Sequence, residues 1–150
     1  MAVLGKNPRC SVARSLEVLG EKWTLLVVRE AFYGATRFSD FQDRLGIARD
    51  VLAARLSTLV EFGVLERHAY RESGERERTE YVLTDAGREL HVVLAALIQW
   101  GDAHRPTGFG PAVEHRHSGT GDLLHVGFVT ADGREVAQSD VLAVSGPGAE

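Results

Sequence analysis

The chain has 150 residues, of which 44% are hydrophobic and 25% charged, with a formal net charge of −4 at pH 7. This length and composition allow one domain with a proper core plus an extension, while the acidic balance excludes binding that depends on a large basic excess. No apolar run approaches the ~20 residues needed to span a membrane, and residues 1–10 lack an apolar signal segment. We therefore expect a cytoplasmic protein with no membrane partner.

The first predicted helix covers Ser11 to Leu19 and follows the single cysteine, Cys10. Its apolar residues share one face: Val12, Leu16 and Leu19. Basic residues close to the cysteine in sequence are Lys6, Arg9 and Arg14. A positive environment at a helix start favours a reactive thiolate, but a lone cysteine is also commonly a small buried hydrophobe. A regulatory and a structural role for Cys10 both stay open, and one cysteine excludes an intrachain disulfide.

A central scaffold helix is predicted from Glu21 to Tyr33, with its apolar face turned to the core. A second short helix follows, capped by Ser39 and ended by Gly46 in the left-handed conformation. Gly46 and Ile47 then join it to a longer helix. A short helix, a tight turn and a longer helix are the pattern of a helix-turn-helix, in which the second helix enters the major groove of DNA.

The longer helix has one apolar stripe, made by Leu52, Leu56 and Leu59 at i, i+4 and i+7. The opposite face is small and polar: Asp50, Ala53, Ala54, Ser57 and Thr58. Small side chains let a helix approach base edges closely, and Arg49 and Arg55 on the flanks suit phosphates. A solvated amphipathic helix has the same periodicity, so the helix alone does not decide between these readings.

Gly63 ends this helix, and Val64 to Tyr70 and Thr79 to Leu83 are predicted strands. The RESGERER run between them, residues 71–78, is too charged for a core and predicts a wing. Arg71, Arg76 and Arg78 are suited to phosphates or a minor groove, and a solvated hairpin tip is the alternative.

A long helix is predicted from Asp85 to His104, with Thr84 as its N-cap. Its heptad-like apolar seam consists of Leu90, Val93, Leu94, Leu97 and Gly101. So much apolar surface at the end of a small domain predicts a symmetric homodimer built on the N- and C-terminal helices. The alternative is that the helix packs back on its own chain.

The remaining residues change character after a Pro- and Gly-rich linker. Leu123 to Thr130 and Arg134 to Val144 are predicted to form a hairpin around Ala131–Asp132–Gly133. We therefore divide the chain into residues 1–104, for DNA binding and dimerisation, and residues 105–150, a linker and β-hairpin extension. The predicted fold class is mainly α with a β-wing.

The motifs together resemble the HxlR-type transcriptional regulators. The resemblance is carried by Cys10 with Ser-Val-Ala-Arg, LGEKWTLLVVRE from Leu19, Arg37-Phe38-Ser39, VLAARLSTLVEFGVLER, Glu80-Tyr81-Val82-Leu83-Thr84 with Gly87, and Trp100-Gly101. It implies a homodimer that binds an inverted-repeat operator in double-stranded DNA and responds to an oxidant, an electrophile or a small ligand. Redox-responsive relatives carry a cysteine at the position of Cys10.

Three departures from the family pattern stand out. Ala48 replaces the Ser that often opens the recognition helix, the wing lacks the usual prolines, and residues 129–133 replace a Cys-containing turn of zinc-ribbon-like tails. His115, His117, His125 and Asp132 are an alternative metal set without thiolate or tight spacing, so we predict no metal and no cofactor.

The sequence therefore predicts a DNA-binding transcriptional regulator, specifically a repressor, controlled by an effector or by oxidation of Cys10. The residues expected at DNA are Arg37, Ser39, Arg49, Asp50, Ala53, Ala54, Arg55, Ser57, Thr58, Arg76 and Arg78. An effector pocket is predicted to be lined by Trp23, Phe32 and Trp100. Since no nucleophile elbow or phosphate loop is present, we predict no enzyme. The alternative is a winged-helix module that binds proteins without reading DNA.

Overall fold

A computed structural model describes residues 9–147 of the chain. The elements in its N-terminal part are α1 (Ser11–Leu19), α2 (Thr24–Phe32), α3 (Phe38–Leu45), α4 (Arg49–Glu61), β1 (Leu65–Tyr70), β2 (Arg78–Leu83) and α5 (Asp85–Glu89). They are followed by α6 (His91–His104), β3 (Phe128–Val129), β4 (Glu135–Val136) and a 3₁₀ turn at Gln138–Asp140. A boundary between two compact units falls after His91, and each unit is described separately.

The core of the N-terminal unit lies where α2, α3, α4 and the β1–β2 hairpin meet. Its fully buried apolar side chains are Val27, Val28, Phe41, Leu52, Leu56, Leu59 and Leu65. The leucine stripe predicted for α4 is thus confirmed as the inward face of that helix. Because the stripe fixes the rotation of α4 about its axis, it also fixes which residues point away from the core.

The start of α3 differs from the prediction, which made Ser39 its N-cap. Arg37 is the N-cap residue, and Ser39 lies exposed inside the helix. The Asp40 carboxylate accepts hydrogen bonds from the amides of Arg37 (3.0 Å) and Thr36 (3.3 Å). A carboxylate inside the first turn satisfies the free amides and favours the positive helix end, so the helix begins two residues earlier than a cap at Ser39 allows.

The turn between α3 and α4 is also longer than predicted. Gly46 adopts the left-handed conformation at φ 61°, as expected of a C-terminal glycine. Ala48 is extended and serves as the N-cap of α4 without a side-chain hydrogen bond. Three residues therefore separate the helices. Likewise α2 begins at Thr24 rather than Glu21, because residues 21–23 form a turn in which the Thr24 amide bonds to the Glu21 carbonyl.

The predicted wing is confirmed as an antiparallel hairpin. Leu65 pairs with Leu83 at one end and Tyr70 with Arg78 at the other. Gly63 enters the hairpin at φ 72° and Gly74 lies in the wing loop at φ 80°, conformations that glycine adopts without a Cβ clash.

The helix predicted from Asp85 to His104 is interrupted at Leu90. Its N-cap is as predicted, since the Thr84 hydroxyl accepts from the Gly87 amide at 3.0 Å. The Leu90 amide, however, bonds to the carbonyl of Gly87, three residues back. This tighter turn closes α5, and α6 starts afresh at His91.

The C-terminal unit contains α6 and an extended tail. The predicted strands of eight and eleven residues shrink to the two-residue strands β3 and β4, with Gly133 at φ 84° in their turn. A hairpin with little buried apolar surface is marginal, and most of the tail is exposed. The predicted division of the chain after residue 104 stays a prediction. No helix within residues 9–147 is long and apolar enough to cross a membrane.

Candidate nucleic-acid interface

The face of α4 opposite its leucine stripe is open to solvent. Leu52, Leu56 and Leu59 have no exposed surface. The exposed residues of α4 that we predicted at DNA are Arg49, Asp50, Ala53, Ala54 and Ser57. Thr58 is half-buried and its hydroxyl donates to the Ala54 carbonyl at 3.0 Å. The exposed side chains in the middle of α4 are therefore short, which lets the helix backbone approach another surface closely.

The N-terminal end of α4 is shaped by an arginine on an aromatic ring. The guanidinium carbon of Arg49 lies 4.9 Å from the centre of the Phe38 ring. Phe38 is the first residue of α3, so this contact joins the starts of the two helices. A cation held over an aromatic ring is attracted to it, so this contact restrains the long Arg49 side chain.

Arg55 is less accessible than its predicted role suggests. Its Nη1 lies 3.4 Å from the Glu21 carboxylate, and 21% of the side chain is exposed. Its Nε is buried without a hydrogen-bond partner. An unsatisfied buried donor is unfavourable, so Arg55 joins α4 to the turn before α2 at some cost. Its role at DNA stays a prediction.

The wing loop is rich in charge, and several of its charges are paired. Arg76 and Arg78 are both exposed. Arg78 is within 3.1 Å of Glu75. Residues 71–78 hold three arginines and three glutamates and so carry no net charge, in keeping with the eight arginines and nine acidic residues between positions 37 and 80.

Arg37 connects the start of α3 to the wing. Its guanidinium lies over the Tyr70 ring, 4.6 Å from its centre, and Nη2 forms an ion pair with Glu72. The hydrogen bond to Glu72 raises the pKa of Arg37 above its ordinary value. The main chain is held as well, since Arg37 forms a β-bridge with Glu80 and the Thr36 carbonyl accepts from the Tyr81 amide at 2.7 Å.

The sequence did not reveal the partners of these arginines. Arg37 and Glu72 are 35 residues apart. Arg55 lies on α4, and its partner Glu21 lies before α2. Helical periodicity relates residues three or four apart, so it carries no signal for such pairs. Only the charge balance of the region indicated that many arginines would find acidic neighbours.

The predicted regulatory residue, Cys10, is exposed and is the N-cap residue of α1. Of its basic neighbours, Arg14 donates to the Ser11 hydroxyl at 3.2 Å, and Lys6 lies outside the described residues. Among the aromatic residues of the predicted pocket, Trp23 and Phe32 are half-buried, and Trp100 is 60% exposed. The pocket itself stays a prediction.

Two of the tail residues considered for a metal, His117 and Asp132, accept other hydrogen bonds. Asp132 accepts from the Thr130 hydroxyl and from Arg134 at 3.0 Å, and the first of these lowers the pKa of Asp132. His117 Nδ1 accepts from the amides of Gly119 and Thr120. In the part of the chain that the structure describes, no three His, Cys, Asp or Glu side chains are placed to hold one metal ion.

Comparison with known proteins gives consistent matches. Residues 18–108 match the family described as HxlR-like helix-turn-helix. The HTH-type transcriptional regulator MT3179 of Mycobacterium tuberculosis strain CDC 1551 is 43% identical over 139 residues, which are 92% of this chain and 87% of that relative.

Solved structures separate into two degrees of coverage. The crystal structure of PA1607, assigned as a transcription factor, aligns with a TM-score of 0.75 and 40% identity over 90% of this chain and 94% of its own. The redox regulator HypR in its reduced form aligns with a TM-score of 0.58 and 28% identity, over 64% of this chain and 94% of its own. The similarity to PA1607 thus includes part of the C-terminal unit.

Proposed function

The chain belongs to the HxlR-like helix-turn-helix family, and from that premise we propose that it is a repressor that binds an inverted-repeat operator as a homodimer. DNA binding and transcription regulation are properties of the family. The direction of regulation, the symmetry of the operator and the assembly are the proposed part.

The observation that carries the proposal is the rotation of α4. Its three leucines are fully buried, so Ala53, Ala54 and Ser57 form its outward surface. In a winged helix-turn-helix the second helix lies in the major groove. The Ser57 hydroxyl is suited to hydrogen bonding with base edges, and the alanine methyls to contact with a thymine methyl.

Around this face, the charged groups are suited to the DNA backbone. Arg49 is exposed at the start of α4, and Arg76 and Arg78 are exposed on the wing. Since acidic side chains pair with several arginines, we expect few neutralised phosphates and a shallow dependence of affinity on salt.

Titration of the protein against the DNA upstream of its own gene tests this assignment. Ser57→Ala should change the preference for one base pair by about 1 to 3 kcal/mol, whereas Arg49→Ala should weaken binding to all sequences alike. A solvent-exposed substitution on the tail, Ser139→Ala, is the matched control and should change neither. Wild-type protein that binds operator and competitor DNA equally would instead favour a protein-interaction module.

The homodimer is supported by apolar side chains exposed on two helices. On α6, Val93, Leu97 and Trp100 are 42%, 48% and 60% exposed, and on α1 Val12 is 67% exposed. Burial of such residues in an interface removes apolar surface from water, which favours association. Leu97→Glu should yield monomers in sedimentation velocity at concentrations at which wild type is dimeric, while Glu114→Gln should leave the dimer intact.

Regulation by Cys10 oxidation and regulation by a small-molecule effector are both proposed. The exposed thiol at the start of α1 and the similarity to HypR, which has been solved in reduced and oxidised forms, support the first. A single thiol can form a sulfenic acid, a mixed disulfide or a disulfide between subunits. Cys10→Ser should abolish an oxidant response without changing basal DNA affinity. An oxidant response that persists in Cys10→Ser would exclude this branch and leave the effector.

A further inference from the structure

The contacts of Arg37 assign it a role other than that of a DNA ligand. Its main chain is fixed on two sides: its amide donates to Asp40 at 3.0 Å, and it bridges to Glu80 of β2. Arg37 is therefore held both by Asp40 of the helix-turn-helix and by Glu80 of the wing. The direction in which its side chain leaves the backbone is therefore set before any DNA binds.

The side chain continues toward the wing loop. The guanidinium stacks on Tyr70, the last residue of β1, with 4.6 Å between its carbon and the ring centre. Nη2 reaches Glu72, which is two residues further along the chain. The planar guanidinium thus meets a ring face and a carboxylate at once, an arrangement that lysine reproduces poorly.

An isolated exposed ion pair restrains little, and the Arg37 and Glu72 side chains are 42% and 49% exposed. Here the ion pair is combined with the contact of Arg37 on the half-buried Tyr70 ring and with the fixed backbone of Arg37. Together these contacts hold Tyr70 and Glu72, the residues at which the wing loop leaves β1. The loop then carries Arg76, and Arg78 begins β2 opposite Tyr70. A shift at Tyr70 and Glu72 would displace both arginines.

We propose that Arg37 is a positioning residue that holds the root of the wing loop, through Tyr70 and Glu72, in the orientation from which Arg76 and Arg78 contact the DNA backbone. This rests on the proposed DNA-binding function. It also means that Glu72, which would otherwise repel phosphates, is neutralised within the protein.

The test combines substitutions at Arg37 with removal of the wing arginines. Arg37→Ala should weaken operator binding about ten-fold, as for a lost hydrogen bond to a charged group. In an Arg76→Ala/Arg78→Ala background the same change should have no further effect, because nothing remains to be positioned. A ten-fold loss that persists in this background, or no loss in the wild-type background, would overturn the proposal in favour of phosphate binding or of no role.

Two further variants separate positioning from charge. Arg37→Lys keeps the charge and should not restore affinity, whereas a phosphate ligand would be restored in part. Glu72→Gln should weaken binding if the pair positions the wing, and should strengthen it if Glu72 only competes with DNA for Arg37.

A measurement without DNA distinguishes failure of the positioning role from failure of the proposed function. In the free protein, Arg37→Ala and Glu72→Gln should both accelerate hydrogen exchange of wing-loop amides at residues 71–77 and leave α4 unchanged. Unchanged exchange would overturn the positioning role even if DNA binds. If the wild-type protein showed no operator binding, the proposed function would fail while this effect on the wing could still be observed.

Discussion

The two units of the chain bury their apolar residues to very different extents. In the N-terminal unit, leucine, valine and phenylalanine side chains from three helices and a strand are fully buried. Between residues 92 and 147, Leu94 is the one residue with less than a tenth of its surface exposed, while Phe109, Leu142 and Val144 are 97%, 81% and 76% exposed. Apolar burial drives folding, so we expect the N-terminal unit to contribute most of the stability that comes from buried apolar surface.

The two units also differ in their polar contacts. Some ion pairs of the N-terminal unit join distant elements, as do Arg37 with Glu72 and Arg55 with Glu21, while others, such as Arg88 with Asp85, are local. In the tail they join near neighbours, as do Arg116 with Glu114 and Arg134 with Asp132. Long-range pairs restrain the mutual position of separate elements of the N-terminal unit, whereas local pairs only shape turns.

The largest test of this contrast compares two leucines. Leu56→Ala opens a cavity in the N-terminal core and should lower the free energy of unfolding by about 3 kcal/mol. Leu97→Ala removes a half-exposed side chain and should cost less than about 1 kcal/mol in the monomer, because most of the lost transfer energy is absent. Urea unfolding of monomeric protein at low concentration measures both. Equal losses would show that α6 is as well packed as α4.

The leucine stripe also shows why the helix-turn-helix and wing at residues 38–83, which we call the reading head, were predictable from the sequence. Leu52, Leu56 and Leu59 encode the rotation of α4, while Gly46 and Gly63 mark where α3 and α4 end. These are local signals, repeated every three or four residues or placed at a turn. The same holds for the wing, whose strands lie within one or two residues of their predicted limits.

The wrong predictions concern features that no local sequence pattern decides. Ser39 is a good capping residue by type, but the Asp40 carboxylate accepts from the amides of Thr36 and Arg37, and the helix begins at Phe38, before Ser39. The tail had the alternation of two long strands, yet strand length depends on a partner and on a buried face that the sequence pattern does not specify. The interruption at Leu90 likewise had no local signal beyond Gly87.

Gly87 offers the second comparison between the units. A Cβ built there would lie 2.1 Å from the Val64 carbonyl oxygen, whereas at Gly101 on α6 nothing lies within 4 Å. Gly87→Ala should therefore destabilise the protein by about 2 kcal/mol through overpacking. Gly101→Ala should stabilise α6 by about 0.5 to 1 kcal/mol. Thermal unfolding of both variants measures these changes in stability. Unchanged stability of Gly87→Ala would mean that α5 can move away from the start of β1 at no cost.

A smaller effect on stability is expected at two predicted helix caps, Thr84, which is confirmed, and Ser39, which is not. The Thr84 hydroxyl accepts from the Gly87 amide and donates to the Gly63 carbonyl at 2.5 Å. Thr84→Ala should cost about 1 kcal/mol, and Thr84→Ser should restore most of it. Ser39→Ala, at the residue wrongly predicted as a cap, should stay within about 0.5 kcal/mol of wild type. A loss at Ser39 equal to that at Thr84 would contradict the assignment of the α3 N-cap.

The smallest effect concerns the attachment of the tail to α6. The Gln99 side chain donates to the Val126 carbonyl at 3.1 Å and accepts from its amide at 2.9 Å, as a neighbouring strand would. Gln99→Ala should speed hydrogen exchange of the Val126 amide about five-fold, the equivalent of about 1 kcal/mol for a lost hydrogen bond.

The Thr130 amide, which bonds to the Arg134 carbonyl at 2.9 Å, is the internal control and should keep its rate. If the tail is held by separate local contacts, as its exposure suggests, the effect of Gln99→Ala will end at Val126. Faster exchange throughout residues 112–140 would instead show that the tail opens as one cooperative unit, and that one glutamine on α6 controls its order. The C-terminal unit would then open cooperatively, as we expect of the reading head, although far fewer of its apolar residues are buried.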